Sequence, residues 1–385
     1  MSCNRDQVVP AAPSAVTQTN QELATVAKAL ARTLGTEAAY RQLLKAEALK
    51  QFDGDYDVLY RAFTDLQPTF GQRMDELVAQ SPTGQALTGM ADVLAHVPNL
   101  NISVPVNINK WSADTYSPLV LFIPADFDEK TYTKPLQAYD KDGQVHLLDA
   151  KKAPDYPVVV IGPSERVKGT ALTSEYFGPG KGQNQGKEAN GVPGGKGTNK
   201  LLPPDDGGGG APYMPPPPIG QPYTTCRTDN QTEYLRSLWM KDVSEYEAWI
   251  LGQPEIHLII MSPIGGASGS TLLDAMYTMS RGAIEDTWYC NTGLYYWDKS
   301  TVSNSVGYLW YEQDEGDSSI DVKLTIGYKS DKGLNASTEV TFKIKNKDDV
   351  ISTSPMNFDF CPSEKYYTGG TAGSRAFRWT LENRP

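Results

Sequence analysis

The sequence predicts an α+β multidomain protein, with a helical segment plus a small β-sheet domain followed by an antiparallel β-sandwich domain. Three observations predict it: apolar residues recur at helical spacing near the start, alternate with a period of two from Asn101, and stop at a Gly/Pro-rich stretch. At 385 residues, each half is long enough to bury its own core. The predicted boundaries are a flexible N-terminal tether at 1–18, a first domain at 19–177, a linker at 178–222 and a sandwich at 223–385.

Helical periodicity marks the first elements of the chain. Thr19 and Glu22 form a T-x-x-E capping box, which predicts a helix over 19–34. A second helix is predicted after Thr36. The run Asp53–Asp57 begins like a calcium loop but lacks the Gly and Glu of that motif, so it indicates a helix end and a new cap. Further helices are predicted over 57–66, 70–80 and 84–95.

Strand periodicity then takes over. The tetrapeptide Asp140–Gly143 is typical of a tight hairpin turn. Because a segment so rich in Gly and Pro cannot bury enough apolar surface to order itself, 178–222 is interpreted as a spacer. Strands are predicted on its N-terminal side at 102–106, 119–123, 136–140, 145–148 and 158–161.

The chain beyond the linker is dominated by strands separated by turn residues, which is typical of a two-sheet sandwich. The run 256–262 is apolar throughout and is predicted to be buried on both faces. One helix is predicted near 271–280. The other strands are predicted near 233–240, 293–298, 306–312, 320–328, 338–345, 356–360 and 376–382, with Trp239, Trp249, Trp297, Trp310 and Trp379 as core or corner anchors.

Charge and hydropathy exclude two classes of function. The formal charge is −11, and residues 223–385 carry 15 Lys and Arg against 22 Asp and Glu. A chain without a basic stripe cannot neutralise phosphates, so no nucleic-acid partner is expected. The sequence contains no apolar run of about 18 residues, so no transmembrane helix is expected.

The N-terminus resembles a bacterial lipoprotein just after its signal peptide. Met1-Ser2-Cys3 precedes a polar stretch rich in Pro, Ala, Ser and Thr, which predicts lipidation at Cys3 and a tether behind it. The expected location is the cell envelope or outer membrane, or outside the cell. An ordinary disordered N-terminus is the alternative. Cys226, Cys290 and Cys361 form no C-x-x-C spacing, and their pairing stays open.

Acidic residues follow three predicted strands, and alternate loops of an antiparallel sandwich share one end. Calcium takes six to eight oxygen ligands, so carboxylates from several such loops can form a site. The same turns are equally typical of solvated loops. The candidate ligands are Asp242, Glu247, Glu312, Asp314, Asp317, Asp348 and Asp349.

The sequence leaves two other functions open. The sequence lacks H-E-x-x-H and G-x-S-x-G, and no catalytic residue is assigned, although a spatial Ser/His/acid arrangement stays open. His257 lies in an apolar strand and His146 on a hairpin, both typical of structural positions. A surface for carbohydrate or another partner is the other hypothesis, because the chain has 21 Tyr and 7 Trp. The candidates for it are Tyr295, Tyr296, Tyr366 and Tyr367.

Several motifs resemble an uncharacterised family of exported bacterial proteins, known as a domain of unknown function, many of whose members are described as lipoproteins. They are D-x-x-x-x-E-x-W-I-x-G-x-P-E-I from Asp242 to Ile256, W-Y-E-Q-D from Trp310, K-D-D-x-I from Lys347, and PDYPVVVIGPSER from Pro154. Ala248 departs from the Pro expected there. The C-terminal half also loosely resembles the calcium-dependent phospholipid-binding sandwich of protein kinase C, which implies calcium at Asp242, Asp314, Asp317, Asp348 and Asp349.

The functional hypothesis is therefore an exported, lipid-anchored envelope protein. It is expected to be a non-enzymatic binding module for an extracellular or envelope ligand, with calcium as the candidate cofactor. The alternative is a hydrolase acting on an envelope or extracellular polymer.

Overall fold

The protein divides into two compact units. The first is formed by the described parts of Met1–Ala48 and Tyr56–Ser174, and the second by those of Leu49–Asp55 and Glu175–Pro385. The short segment Leu49–Asp55 therefore belongs to the second unit although it interrupts the first. The 178–222 linker lies outside the described residues. The computed structural model describes residues 14–81, 87–164, 167, 227–264, 269–314, 318–329, 335–359, 367–369 and 376–384.

The helices of the first unit confirm the predicted periodicity and correct its boundaries. The first helix begins after Ser14, whose hydroxyl accepts a hydrogen bond from the Thr17 N–H at 3.2 Å. The predicted capping box is wrong, because Glu22 lies inside that helix and accepts hydrogen bonds from Gln18 and His96. The helices are α1 (Ala15–Thr36), α2 (Ala38–Ala48), α3 (Tyr60–Leu66), α4 (Pro68–Ala79) and α5 (Met90–His96).

A six-stranded sheet completes the first unit, and five of its strands were predicted. Its strands are β1 (Asp57–Leu59), β2 (Leu100–Ser103), β3 (Leu119–Phe122), β4 (Leu136–Tyr139), β5 (Val145–Leu148) and β6 (Val158–Pro163). Their order is β1-β2-β6-β3-β4-β5, and all neighbours are antiparallel except β3 and β6. The helix predicted over 57–66 is wrong in its first turn, because Asp57 and its two successors pair with β2 as β1.

The described part of the second unit is built mainly of strands. Two short helices, α6 (Arg281–Asp286) and α7 (Lys299–Val302), interrupt them. The strands are β7 (Gln231–Met240), β8 (Glu255–Ser262), β9 (Ser270–Thr278), β10 (Trp288–Trp297), β11 (Ser305–Glu312), β12 (Ser319–Lys329), β13 (Asn335–Lys345), β14 (Asp349–Asn357), β15 (Tyr367–Gly369) and β16 (Phe377–Arg384).

Two four-stranded antiparallel sheets pack face to face in this unit, with strand orders β10-β7-β16-β15 and β14-β11-β8-β9. Leu238 and Trp379 from one sheet share a hydrophobic core with Leu258 and Trp310 from the other. Interdigitated side chains between two such sheets define a β-sandwich. The predicted α+β fold class is confirmed.

The hairpin β12–β13 adds a third layer to the sandwich. Its Ile326 and Phe342 pack against Ile259 and Leu309, which point away from the sandwich core on β8 and β11. Both faces of β8 are therefore covered, as its continuous apolar sequence predicts. Gly307 makes the close approach possible, because a Cβ there would lie 2.9 Å from Ile326 Cδ1.

The helix predicted near 271–280 is wrong. This segment is the edge strand β9, which pairs with β8 along its whole length. Its apolar spacing is compatible with a helix. Backbone pairing to a neighbouring strand outweighs such local preferences.

Candidate metal centre

Three acidic segments meet at one end of the sandwich. Glu247 lies in the loop between β7 and β8, and Glu312 is the last residue of β11. Asp348 immediately precedes β14. Strand pairing fixes this convergence, because Glu312 lies opposite Ile256 of β8 on one side and Asp349 of β14 on the other.

The carboxylates of Glu247, Glu312 and Asp314 form the acidic cluster. One carboxylate oxygen from each lies within 4.8 Å of the others. Glu312 is completely buried and Glu247 is 5% exposed, while Asp314 is half-buried. Carboxylates are rarely buried together unless protons or a cation compensate their charge.

Backbone donors hold the residues around the acidic cluster. Asp348 accepts from the Asp314 N–H at 3.0 Å and from the Lys345 N–H at 2.7 Å. Glu312 Oε1 accepts from the Glu255 N–H at 3.4 Å. Burial raises the pKa of Asp348 despite the opposing effect of the two N–H donors and of nearby His257 and Lys345. Burial thus disfavours the ionised form of the Asp348 carboxyl.

Arg281 is the nearby cation that sequence reasoning missed. From the start of α6, its guanidinium donates to the carbonyl oxygens of Glu247 and of Gly252, the latter at 3.2 Å. Burial lowers the pKa of Arg281, while the charges of Glu247, Glu285, Asp242 and Asp55 raise it. The positive charge of Arg281 therefore interacts with Glu247 and also with carboxylates outside the acidic cluster.

The chemistry of the acidic cluster suits a hard divalent cation. Its candidate ligands are oxygens only, which favour Ca²⁺, Mg²⁺ or Mn²⁺ over zinc or copper. Three oxygens within 4.8 Å of one another all lie within about 2.8 Å of a common point, close to the usual Ca–O distance. The residues present fit such an ion.

The remaining predicted ligands lie near the acidic cluster or fall outside the described residues. Asp242 caps the single 3₁₀ turn Val243–Glu245, where its Oδ1 accepts from the Ser244 N–H at 2.9 Å. Asp349 is half-buried at the start of β14. Asp317 lies outside the described residues.

The predicted aromatic surface needs a correction. Tyr295 faces the sandwich core at 8% exposure, and its hydroxyl lies 3.3 Å from that of Tyr308. Burial raises the pKa of Tyr295 well above its usual value. Tyr296 is 54% exposed on the edge strand β10. Tyr366 lies outside the described residues, as does the side chain of Tyr367.

The three histidines have partners of their own. His96 contacts Glu22 at 2.9 Å, and exposed His146 contacts Asp140 at 3.0 Å. His257 Nδ1 lies 3.0 Å from the Tyr311 hydroxyl. Among the described residues, no serine hydroxyl hydrogen-bonds to any of the three.

The cysteine predictions fall largely outside the described residues. Cys3, Cys226 and Cys361 all lie in segments that are not described. Cys290 is buried, and its Sγ lies 3.5 Å from the Leu235 carbonyl oxygen. Helices long and apolar enough to span a membrane are absent from the described part of the chain, as predicted.

The fold and the acidic cluster define the class: a two-unit α+β protein with carboxylates close together at one end of its β-sandwich. A family model described as "Protein of unknown function (DUF3103)" matches residues 26–323, most of the chain. The protein belongs to this family, which confirms the resemblance to an uncharacterised family. Comparison with curated proteins found no match, and comparison with solved structures found none either.

Proposed function

We propose that the protein is a non-enzymatic binding module of the cell envelope that holds a calcium ion at the acidic cluster. The observation that carries this proposal is the gathering of Glu247, Glu312 and Asp314 within 4.8 Å, two of them buried. Two unit charges at that separation repel by roughly 3.5 kcal/mol at an effective dielectric constant of about 20. A bound dication would convert this repulsion into attraction.

Calcium is favoured over magnesium by its coordination. Its coordination is flexible and accepts carboxylates from separate loops, whereas magnesium demands near-ideal octahedral geometry and keeps several waters. Asp348 contributes by fixing the backbone of Asp314. The loops that such an ion would order are also the segments with which scaffolds of this kind usually contact partners.

The envelope location rests on Cys3 and the polar stretch that follows it. A lipid anchor there would display the protein at a membrane surface, within reach of an envelope or extracellular ligand. Labelling bacterial cells with an alkyne fatty acid tests it. The label should be lost in Cys3→Ala and kept in Cys290→Ala, and equal labelling of both variants would refute the anchor.

The calcium site is tested by unfolding the whole chain in urea with 1 mM calcium and again with a chelator. Six of the seven tryptophans lie in the second unit, so their fluorescence reports on the sandwich. A site with a Kd of about 10 μM would raise the free energy of unfolding by roughly 2.7 kcal/mol.

The controls separate this site from unspecific charge effects. Glu312→Gln should abolish the stabilisation, because it removes a buried ligand. Asp286→Asn removes an exposed carboxylate from the same unit and should retain the stabilisation. Identical unfolding curves with calcium and with chelator would contradict the proposal.

A further inference from the structure

The loop that carries Glu247 is bound by a carboxylate from a distant part of the sequence. Asp55 Oδ1 accepts a hydrogen bond from the Gln253 N–H at 2.8 Å. Both residues belong to the second unit, although 198 positions separate them. Asp55 is 5% exposed and Gln253 is 7% exposed, so the contact is shielded from water.

Gly252 is shaped for this carboxylate. Its φ of +137° is a conformation that side chains rarely adopt. A Cβ at this position would lie 2.8 Å from both Cγ and Oδ1 of Asp55. The missing side chain thus makes the space that Asp55 occupies.

Arg281 connects this contact to the acidic cluster. Its guanidinium bonds to the carbonyls of Glu247 and Gly252, and its charge interacts with both Asp55 and Glu247. The loop is thereby held at Glu247 and Gly252 by Arg281, and at Gln253 by Asp55.

We infer that Asp55 is a positioning residue for the calcium site: it fixes the loop that places the Glu247 carboxylate. This inference rests on the proposed function. A loop released from Asp55 must be ordered again when calcium binds, and this ordering costs conformational entropy. Because such coupling is reciprocal, bound calcium should also tighten the docking of Asp55.

The test compares Asp55→Ala with Asp286→Ala in the whole chain. Asp286 is exposed in the same unit, so the control removes an equal charge and leaves the contact between Asp55 and Gln253 in place. Calcium titration calorimetry should show a Kd at least about fivefold weaker for Asp55→Ala. Asp286→Ala should stay close to wild type. Asp55→Asn should fall between them, because its Oδ1 can still accept from Gln253.

Amide hydrogen exchange over 247–253 in chelator supplies a readout that needs no metal. Exchange should be faster in Asp55→Ala than in Asp286→Ala. A purely structural role would lower the free energy of unfolding but leave the Kd of the folded protein unchanged. Equal Kd values and equal exchange in the two variants would overturn the inference. A wild-type protein that binds no calcium would instead overturn the proposed function, and exchange would then decide whether Asp55 fixes the loop.

Discussion

The two ends of the β-sandwich hold buried charge in different ways. Where β7 begins, Arg227 and Glu233 form an ion pair at 2.8 Å, with both side chains 1% exposed. The Arg227 guanidinium also donates to the Asn357 carbonyl at 3.1 Å and stacks on Trp297. Beyond the other end of β7, the acidic cluster gathers like charges, with Arg281 as a nearby cation.

This difference separates a structural charge from a candidate site. The Arg227–Glu233 pair is balanced within the chain and is bidentate, because Nη2 donates to Oε1 and Nε donates to Oε2. At the acidic cluster, three carboxylates lie together, and the charge of the half-buried Arg281 acts on Glu247 among them. A ligand that brings positive charge can therefore stabilise the second end but has nothing to add at the first.

The largest expected change in stability is at the end that holds the Arg227–Glu233 pair. Glu233→Gln should lower the free energy of unfolding by about 3 kcal/mol or more, because it leaves the Arg227 charge buried and uncompensated. Urea unfolding followed by tryptophan fluorescence measures it. Glu382→Gln, at the less buried pair with Arg236, should cost about 1 kcal/mol or less.

If Glu233→Gln does not fold, a double variant still decides the matter. Arg227→Met with Glu233→Leu removes both charges and should recover most of the stability, as for other buried pairs replaced by apolar residues. A double variant no better than Glu233→Gln would show that packing, rather than charge, dominates this end.

A smaller effect of opposite sign is expected at the acidic cluster. In chelator, Glu312→Gln should raise the free energy of unfolding by about 1 kcal/mol, because it relieves part of the repulsion among three carboxylates and keeps an acceptor for the Glu255 N–H. The same urea series measures it. A loss as large as that of Glu233→Gln would mean that the two ends are not different.

The smallest effect is a pH dependence from Asp348. Its folded pKa is raised by burial, so the folded protein holds this proton more tightly than the unfolded chain. The stability it contributes is therefore present below its unfolded pKa, near 4, and is lost as pH rises through the folded pKa. Asp348→Asn should flatten this part of the curve of unfolding free energy against pH. An unchanged slope would argue against a raised pKa.

Local sequence patterns predicted much of the fold. The apolar run of β8 revealed a strand buried on both faces, and the strand predicted near 306–312 placed Glu312 at its end. Periodicity failed for β9, because helical spacing and strand pairing compete and only the neighbouring strand decides. The capping box at Glu22 failed for a related reason, since the side chain turns to His96 instead.

The candidate site was predictable only in part. Antiparallel strands bring alternate loops to one end, so the convergence of Glu247, Glu312 and Asp314 follows from their positions at strand ends. Arg281 and Asp55 reach the same loop through tertiary contacts and left no local signal. The glycine of G-x-P-E-I could have indicated a positive φ, but its carboxylate partner lies 198 positions from Gln253 and is not encoded nearby.

The C-terminal limit of the family match does not coincide with the C-terminal limit of the β-sandwich unit. The family match ends at residue 323, inside β12, so the whole of β13, β14 and β16 lies beyond it. Each of these strands pairs with one that begins within the match: β13 with β12, β14 with β11, and β16 with β7. A polypeptide that ends at residue 323 would expose unpaired strand edges and apolar side chains. Both features promote aggregation. Any shortened form of the protein should therefore continue through Arg384.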